Sequence, residues 1–146
     1  MLALEALGVD LAVFSLTAPV GLTHAEDRSL RAPVVYAPTP RRAALAMGAH
    51  LRGLALSGPG YARAATVLAG RGRLRPVAGA WLRGVAMAPA ARRLGVGHFH
   101  AHFATGANVA AKVMADLAGV PFSITTHAVG IFARPTRLCA TLRAGR

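Results

Sequence analysis

Between Val96 and Thr126 the hydrophobic period of the chain changes twice, and this pattern limits its possible folds more than any other feature. Val96 to Phe103 (VGHFHAHF) alternates as a strand does. Thr105 stands where a helix N-cap is expected, and Ala110, Val113, Met114 and Leu117 then form an i, i+3, i+4, i+7 stripe. The helix runs to Ala118 and stops at Gly119, and Val120 to Thr126 (VPFSITT) reads as the next strand. Two strands joined by one crossover helix make a βαβ unit, which pairs in parallel with a right-handed connection. The fold class that follows is α/β, a parallel sheet flanked by helices.

The opening residues repeat the rhythm. MLALEAL is helix-prone and closed by Gly8, and Val9 to Leu16 (VDLAVFSL) reads as a buried strand ending before Thr17 and Pro19. Ala32 to Ala37 is a short strand between Pro33 and Pro38, a place that prolines permit only at an edge or strand end. From Arg41 to Leu94 the chain reads as helices broken at Gly58-Pro59-Gly60, Gly70, Gly72 and Pro76. Leu51, Leu54 and Ala55 give one packing face there, and Trp81, Leu82, Val85 and Ala86 another. No fixed period marks a repeat protein.

A chain of 146 residues suffices for one domain, and 54% hydrophobic against 15% charged residues excludes a disordered chain. The longest charge-free stretches, Leu94 to Ala111 and Leu117 to Ala133, are broken by histidines, Gly106 and Pro121, so neither reads as a membrane span. The N-terminus has no basic region and meets Glu5 at once, unlike a secretory signal, and a cytoplasmic product is expected. The lone Cys139 can form neither an intramolecular disulfide nor a thiolate metal cluster. Residues 41–93 hold ten arginines and no acid, and they dominate the net charge of +12. Such a segment could dock on an anionic membrane surface or on nucleic acid, although arginine-rich solvated helix faces are also what GC-rich codons produce.

Ligands of open parallel sheets sit beyond the carboxyl ends of the strands. There the chain places His102, Thr105, Gly106, Thr126, His127 and Gly130. Thr105-Gly106 opens a helix, whose unbonded N–H groups and dipole favour an anion, and capping by Thr105 is the plainer role. His127 suits a hydrogen-bond donor reaching into a cleft, or a histidine satisfied by a nearby carbonyl. His98, His100 and His102 alternate onto one strand face, as a zinc site could require, yet Asp116 is the single carboxylate from residue 94 onward. There is no phosphate-binding P-loop, no G-x-S-x-G elbow and no G-x-G-x-x-G between strand and helix. Five acids make a paired-carboxylate hydrolase implausible.

The stretch HFHAHFATGANVAAKVMADLAGVPFSITTHAVGIF, His98 to Phe132, resembles the family 4 glycosyltransferases of bacterial exopolysaccharide synthesis, particularly the colanic-acid type. That family has a strand ending in H-A-H-F-A, a helix, then G-[IV]-P-[FY]-S-x-T-x-H-A and an aromatic soon after. LALEALGVDLAVFSL and APVVYAP are similar to its first helix and next two strands. The resemblance implies the N-terminal, acceptor-side half of a GT-B fold, built from Rossmann-like sheets, and a transferase that retains anomeric configuration without a metal or other cofactor. Its partners would be a nucleotide-sugar donor, bound through a C-terminal domain, and a glycan or lipid-linked acceptor. An association with the inner face of the membrane fits this better than nucleic acid does. His127 falls on the histidine facing the donor sugar, the catalytic position. His102 and Thr105 fall at the strand end lining the acceptor side, and Gly106, Thr126 and Gly130 lie in the same substrate-binding stretches.

Relative to that family the chain lacks the first strand with its glycine loop, and the C-terminal domain. Residues 1–132 are thus expected to be a partial acceptor-side domain, inactive alone, and residues 133–146 an arginine-rich tail that matches nothing. In the strand order 3-2-1-4-5 the absent strand is the central one. Ends of this kind are expected of a reading frame entered internally and left through a frame shift in GC-rich DNA.

Overall fold

The computed structural model describes residues 1–18, 29–38, 48, 50–51, 53–55, 57–69, 74–103 and 105–127. Gly130 and the 133–146 tail lie outside these residues. The architecture is mixed α/β, with helices packed on two small parallel sheets.

Helix α1 (Leu2–Ala6) has no side-chain cap and buries none of its residues, so its own five residues cannot sustain it. What holds it is Glu5, whose carboxylate accepts the N–H of Ala32 at 2.7 Å and of Arg31 at 3.1 Å. Gly8, at φ 78°, closes the helix as expected. Strand β1 (Val13–Ser15) pairs in parallel with β2 (Val34–Tyr36), Phe14 opposite Val35. Both strands are shorter than their hydrophobic runs. Pro33 lies just outside the β2 strand and uses its carbonyl alone, accepting the Val13 N–H at 2.9 Å.

Helix α2 (Gly58–Thr66) begins at the glycine-proline cluster that the sequence marks as a break. Ser57 caps it by accepting the Gly60 N–H at 3.0 Å, and Pro59 occupies the first turn, where no N–H is needed. A 3₁₀ turn (Val67–Ala69) follows. Helix α3 (Leu74–Arg93) then runs 20 residues, with Pro76 in its first turn and Pro89 in its interior. Pro89 has no N–H to offer the Val85 carbonyl, yet the buried face from Val77 to Ala91 carries the helix through. Trp81 ties α3 to α2 by donating its indole N–H to the Ala64 carbonyl at 2.8 Å.

The βαβ unit forms as the period change requires. Strand β3 (Phe99–His102), helix α4 (Gly106–Ala118) and strand β4 (Phe122–Thr125) follow in order, and β3 pairs in parallel with β4. Gly119, at φ 73°, ends α4 in the left-handed conformation that glycine adopts without a Cβ penalty. Residues Asn108 to Leu117 of α4 are all buried, so the apolar stripe is one side of a helix enclosed all round. It packs mainly on α3, and also on α2, β3 and β4. Gly84 makes the α3–α4 approach possible, since a Cβ there would stand 2.8 Å from the Ala110 carbonyl oxygen.

Phe99 and Ala101 turn into the core with Phe122 and Ile124 against them, while His100 and His102 face outward. The two sheets share no ladder, although the Phe14 and Phe99 rings meet at 5.8 Å between centroids. Leu51 and Leu54 are 63% and 51% exposed, so the packing face expected there is not buried. No helix among the described residues is long and apolar enough to cross a membrane.

Candidate functional site

The parallel register of β3 and β4 sets His100 beside Ser123 and His102 beside Thr125. On the outward face these side chains make one polar chain. The Ser123 hydroxyl lies 2.7 Å from His98 Nε2 and 2.9 Å from His100 Nδ1, and Thr125 Oγ1 is 3.1 Å from His100 Nε2. A hydroxyl gives one proton and accepts others, and a neutral imidazole has one donor and one acceptor nitrogen. The chain can therefore be satisfied from His98 to Thr125 with every imidazole uncharged.

At the carboxyl ends of the two strands the pattern changes. His102 is the last residue of β3 and His127 comes two residues after β4, and their Nε2 atoms face each other at 3.3 Å with no hydroxyl between them. Both side chains are exposed. Phe103, at φ 86°, holds a left-handed conformation that costs a residue with a Cβ about 1–3 kcal/mol. Its ring closes the corner, with centroids 4.5 Å from His102 and 4.8 Å from His127. Strain of this kind persists where surrounding contacts over-determine it.

Thr105 occupies the N-cap position of α4 with an extended backbone, φ −120° and ψ −152°, but its exposed hydroxyl makes no cap bond. The capping role expected of that hydroxyl is not realised. Gly106 is half-buried, and a Cβ there would meet Ala80 at 3.4 Å and Leu16 at 3.7 Å. This brings the end of β1 and the middle of α3 against the start of α4. Thr126 is half-buried between Thr125 and His127. Of the expected site residues His102 and His127 meet in space, Thr105, Gly106 and Thr126 lie near them along the chain, and Gly130 is outside the described residues.

The zinc arrangement of His98, His100 and His102 is not assembled. Ser123 takes a nitrogen of both His98 and His100, His102 turns to His127, and among the described residues no group of three or more His, Cys, Asp or Glu could hold a metal ion. The described carboxylates with partners act elsewhere, Glu5 on the start of β2 and Asp116 on Lys112. In the Asp116–Lys112 pair the Nζ–Oδ1 separation is 2.5 Å, and both side chains are buried. Burial pushes the Asp116 carboxyl above its ordinary value, against the hydrogen bond and charge of Lys112 and the charge of Arg63.

A second cluster had no sequence signal. His50 Nδ1 lies 2.5 Å from the Tyr61 hydroxyl, and its ring stands 5.1 Å from that of Trp81. Burial raises the Tyr61 pKa. The three residues lie on separate helical segments, so no spacing rule links them. Tyr61 and Trp81 sit among the core helices, which marks the cluster as packing.

Two imidazole nitrogens at the carboxyl ends of parallel strands can donate to and accept from the hydroxyls of a bound ligand. Comparison of the chain with protein-family models, with curated proteins and with solved structures gives no match.

Proposed function

We propose that the chain is the acceptor-side part of a retaining glycosyltransferase with a Rossmann-like sheet, in which His102 and His127 bind sugar hydroxyls at the carboxyl edge. The observation that carries this reading is the convergence of these histidines from the ends of two parallel strands, at 3.3 Å. The parallel pairing of β1 with β2 and of β3 with β4 supports it further, since a doubly wound order 3-2-1-4-5 contains the neighbouring pairs 3-2 and 4-5. In this reading neutral His127 donates a hydrogen bond toward the donor sugar and stabilises charge on the departing diphosphate. His102 and Thr105 receive the acceptor. In the family that the chain resembles, the nucleotide sugar is held by a second domain.

The test is calorimetric titration of the purified chain with a water-soluble, short-prenyl diphosphate glycoside. Saturable binding is expected, weakened about fivefold in His127→Ala and in His102→Ala, the equivalent of one hydrogen bond of about 1 kcal/mol. His98→Ala leaves it unchanged. Binding to anionic vesicles alone, lost at high salt and indifferent to both histidines, would replace the acceptor reading with electrostatic docking of the arginine-rich segment.

A further inference from the structure

We propose that His102 and His127 form a two-histidine site for a borderline first-row divalent ion, of which zinc is the probe of choice. A tetrahedral zinc ion bound by imidazole nitrogens at about 2.0–2.1 Å sets those nitrogens about 3.3–3.4 Å apart. The Nε2 atoms of His102 and His127 stand 3.3 Å apart, so an ion can replace the shared proton with little movement of either ring.

The other histidines of the sheet differ in a way that isolates this pair. Both nitrogens of His100 lie against hydroxyls, Nδ1 on Ser123 and Nε2 on Thr125, and His98 Nε2 also lies on Ser123. Nitrogens so engaged must break those bonds to bind a metal. His102 and His127 are exposed, face one another directly, and are braced by the ring of Phe103. The bracing lowers the rotamer entropy lost when an ion joins them. Two protein ligands leave two tetrahedral positions for water or for oxygens of a bound ligand, one more than zinc sites with three protein ligands keep open. Imidazole suits zinc, nickel and copper, whereas magnesium and calcium prefer oxygen donors, so those hard ions are not expected to bind here. The site takes the same two nitrogens that the transferase reading gives to sugar hydroxyls, so bound zinc would compete with that use; zinc titration alone tests the ion site, and glycoside titration in zinc-free buffer tests the other.

Zinc chloride is titrated calorimetrically into the full chain, purified without a histidine tag, and into His102→Gln, His127→Gln, His98→Gln and His100→Gln. Circular dichroism of each variant checks the fold. One zinc per chain is expected at this site, with affinity falling at least about tenfold in either His102→Gln or His127→Gln. The His98→Gln and His100→Gln variants keep the wild-type value, and magnesium gives no heat. Nitrogen-15 spectra of the unmodified chain give a readout that needs no variant, since zinc shifts Nε2 of His102 and His127 together. Absence of saturable zinc binding, equal loss in all four variants, or shifts confined to other histidines would overturn the site.

Discussion

At the scale of single residues, the buried pair of Lys112 and Asp116 shows how much depends on partners rather than on identities. The two lie one helical turn apart in α4, where the same spacing on an exposed face would contribute a few tenths of a kcal/mol. Here Lys112 is 2% exposed, so its ammonium depends on the carboxylate beside it. Arg63 is at 4.0 Å and half-exposed, and adds little. Asp116→Leu leaves a buried cation uncompensated and is expected to cost about 3–5 kcal/mol in urea unfolding, while Lys112→Met with Asp116→Leu recovers most of it. The sign of the pH dependence follows from the raised Asp116 carboxyl. Between the ordinary carboxylate value, about 3.9, and the raised native one, the folded state keeps a proton that the unfolded state has released. This group's contribution to stability therefore rises as pH falls through the native value, and the rise ends below the unfolded one. The double variant lacks that component of the pH profile.

The elements show where the sequence was legible and where it was not. The βαβ unit could be read because its signals are local: alternation in β3, a threonine before α4, a four-residue stripe within it and a glycine after it. Strand lengths were overestimated since β propensity marks side chains that suit a sheet, whereas a ladder also needs a neighbouring strand at each position. The break read at Gly58-Pro59-Gly60 falls between helical residues 53–55 and the helix that opens at Gly58, because Ser57 supplies a cap there. The outward turn of Leu51 and Leu54 and the anchoring of α1 by Glu5 depend on tertiary neighbours that no spacing reveals. One helix tests the packing account with a single kind of substitution. A Cβ at Gly84 would meet the Ala110 carbonyl oxygen at 2.8 Å and Val113 Cβ at 2.9 Å, so Gly84→Ala is expected to destabilise by about 1–3 kcal/mol. A Cβ at Gly79, in the same helix, meets nothing within 4 Å, so Gly79→Ala is expected to stabilise by about 0.5–1 kcal/mol. Thermal unfolding of the two variants should move in opposite directions.

At the scale of the whole molecule, a hydrophobic helical layer supports two short parallel sheets, and neither two-stranded sheet would hold without that layer. The layer aligns β3 and β4 so that their carboxyl ends carry His102 and His127 into one corner. That His102 and His127 stand at the ends of neighbouring strands was legible, because it needs only the strand positions. The 3.3 Å imidazole pair, the turned Phe103 and the unbonded Thr105 cap were not legible, since each depends on register and on loop conformation. The most direct test of the central claim, that this corner receives a sugar acceptor, is the nitrogen-15 imidazole spectrum of the whole chain during titration with the prenyl diphosphate glycoside. Saturable shifts are expected at His102 and His127, with His98, His100 and His50 unmoved. Shifts at the inner histidines with His102 and His127 unmoved, or no saturable shift at any histidine, would contradict it.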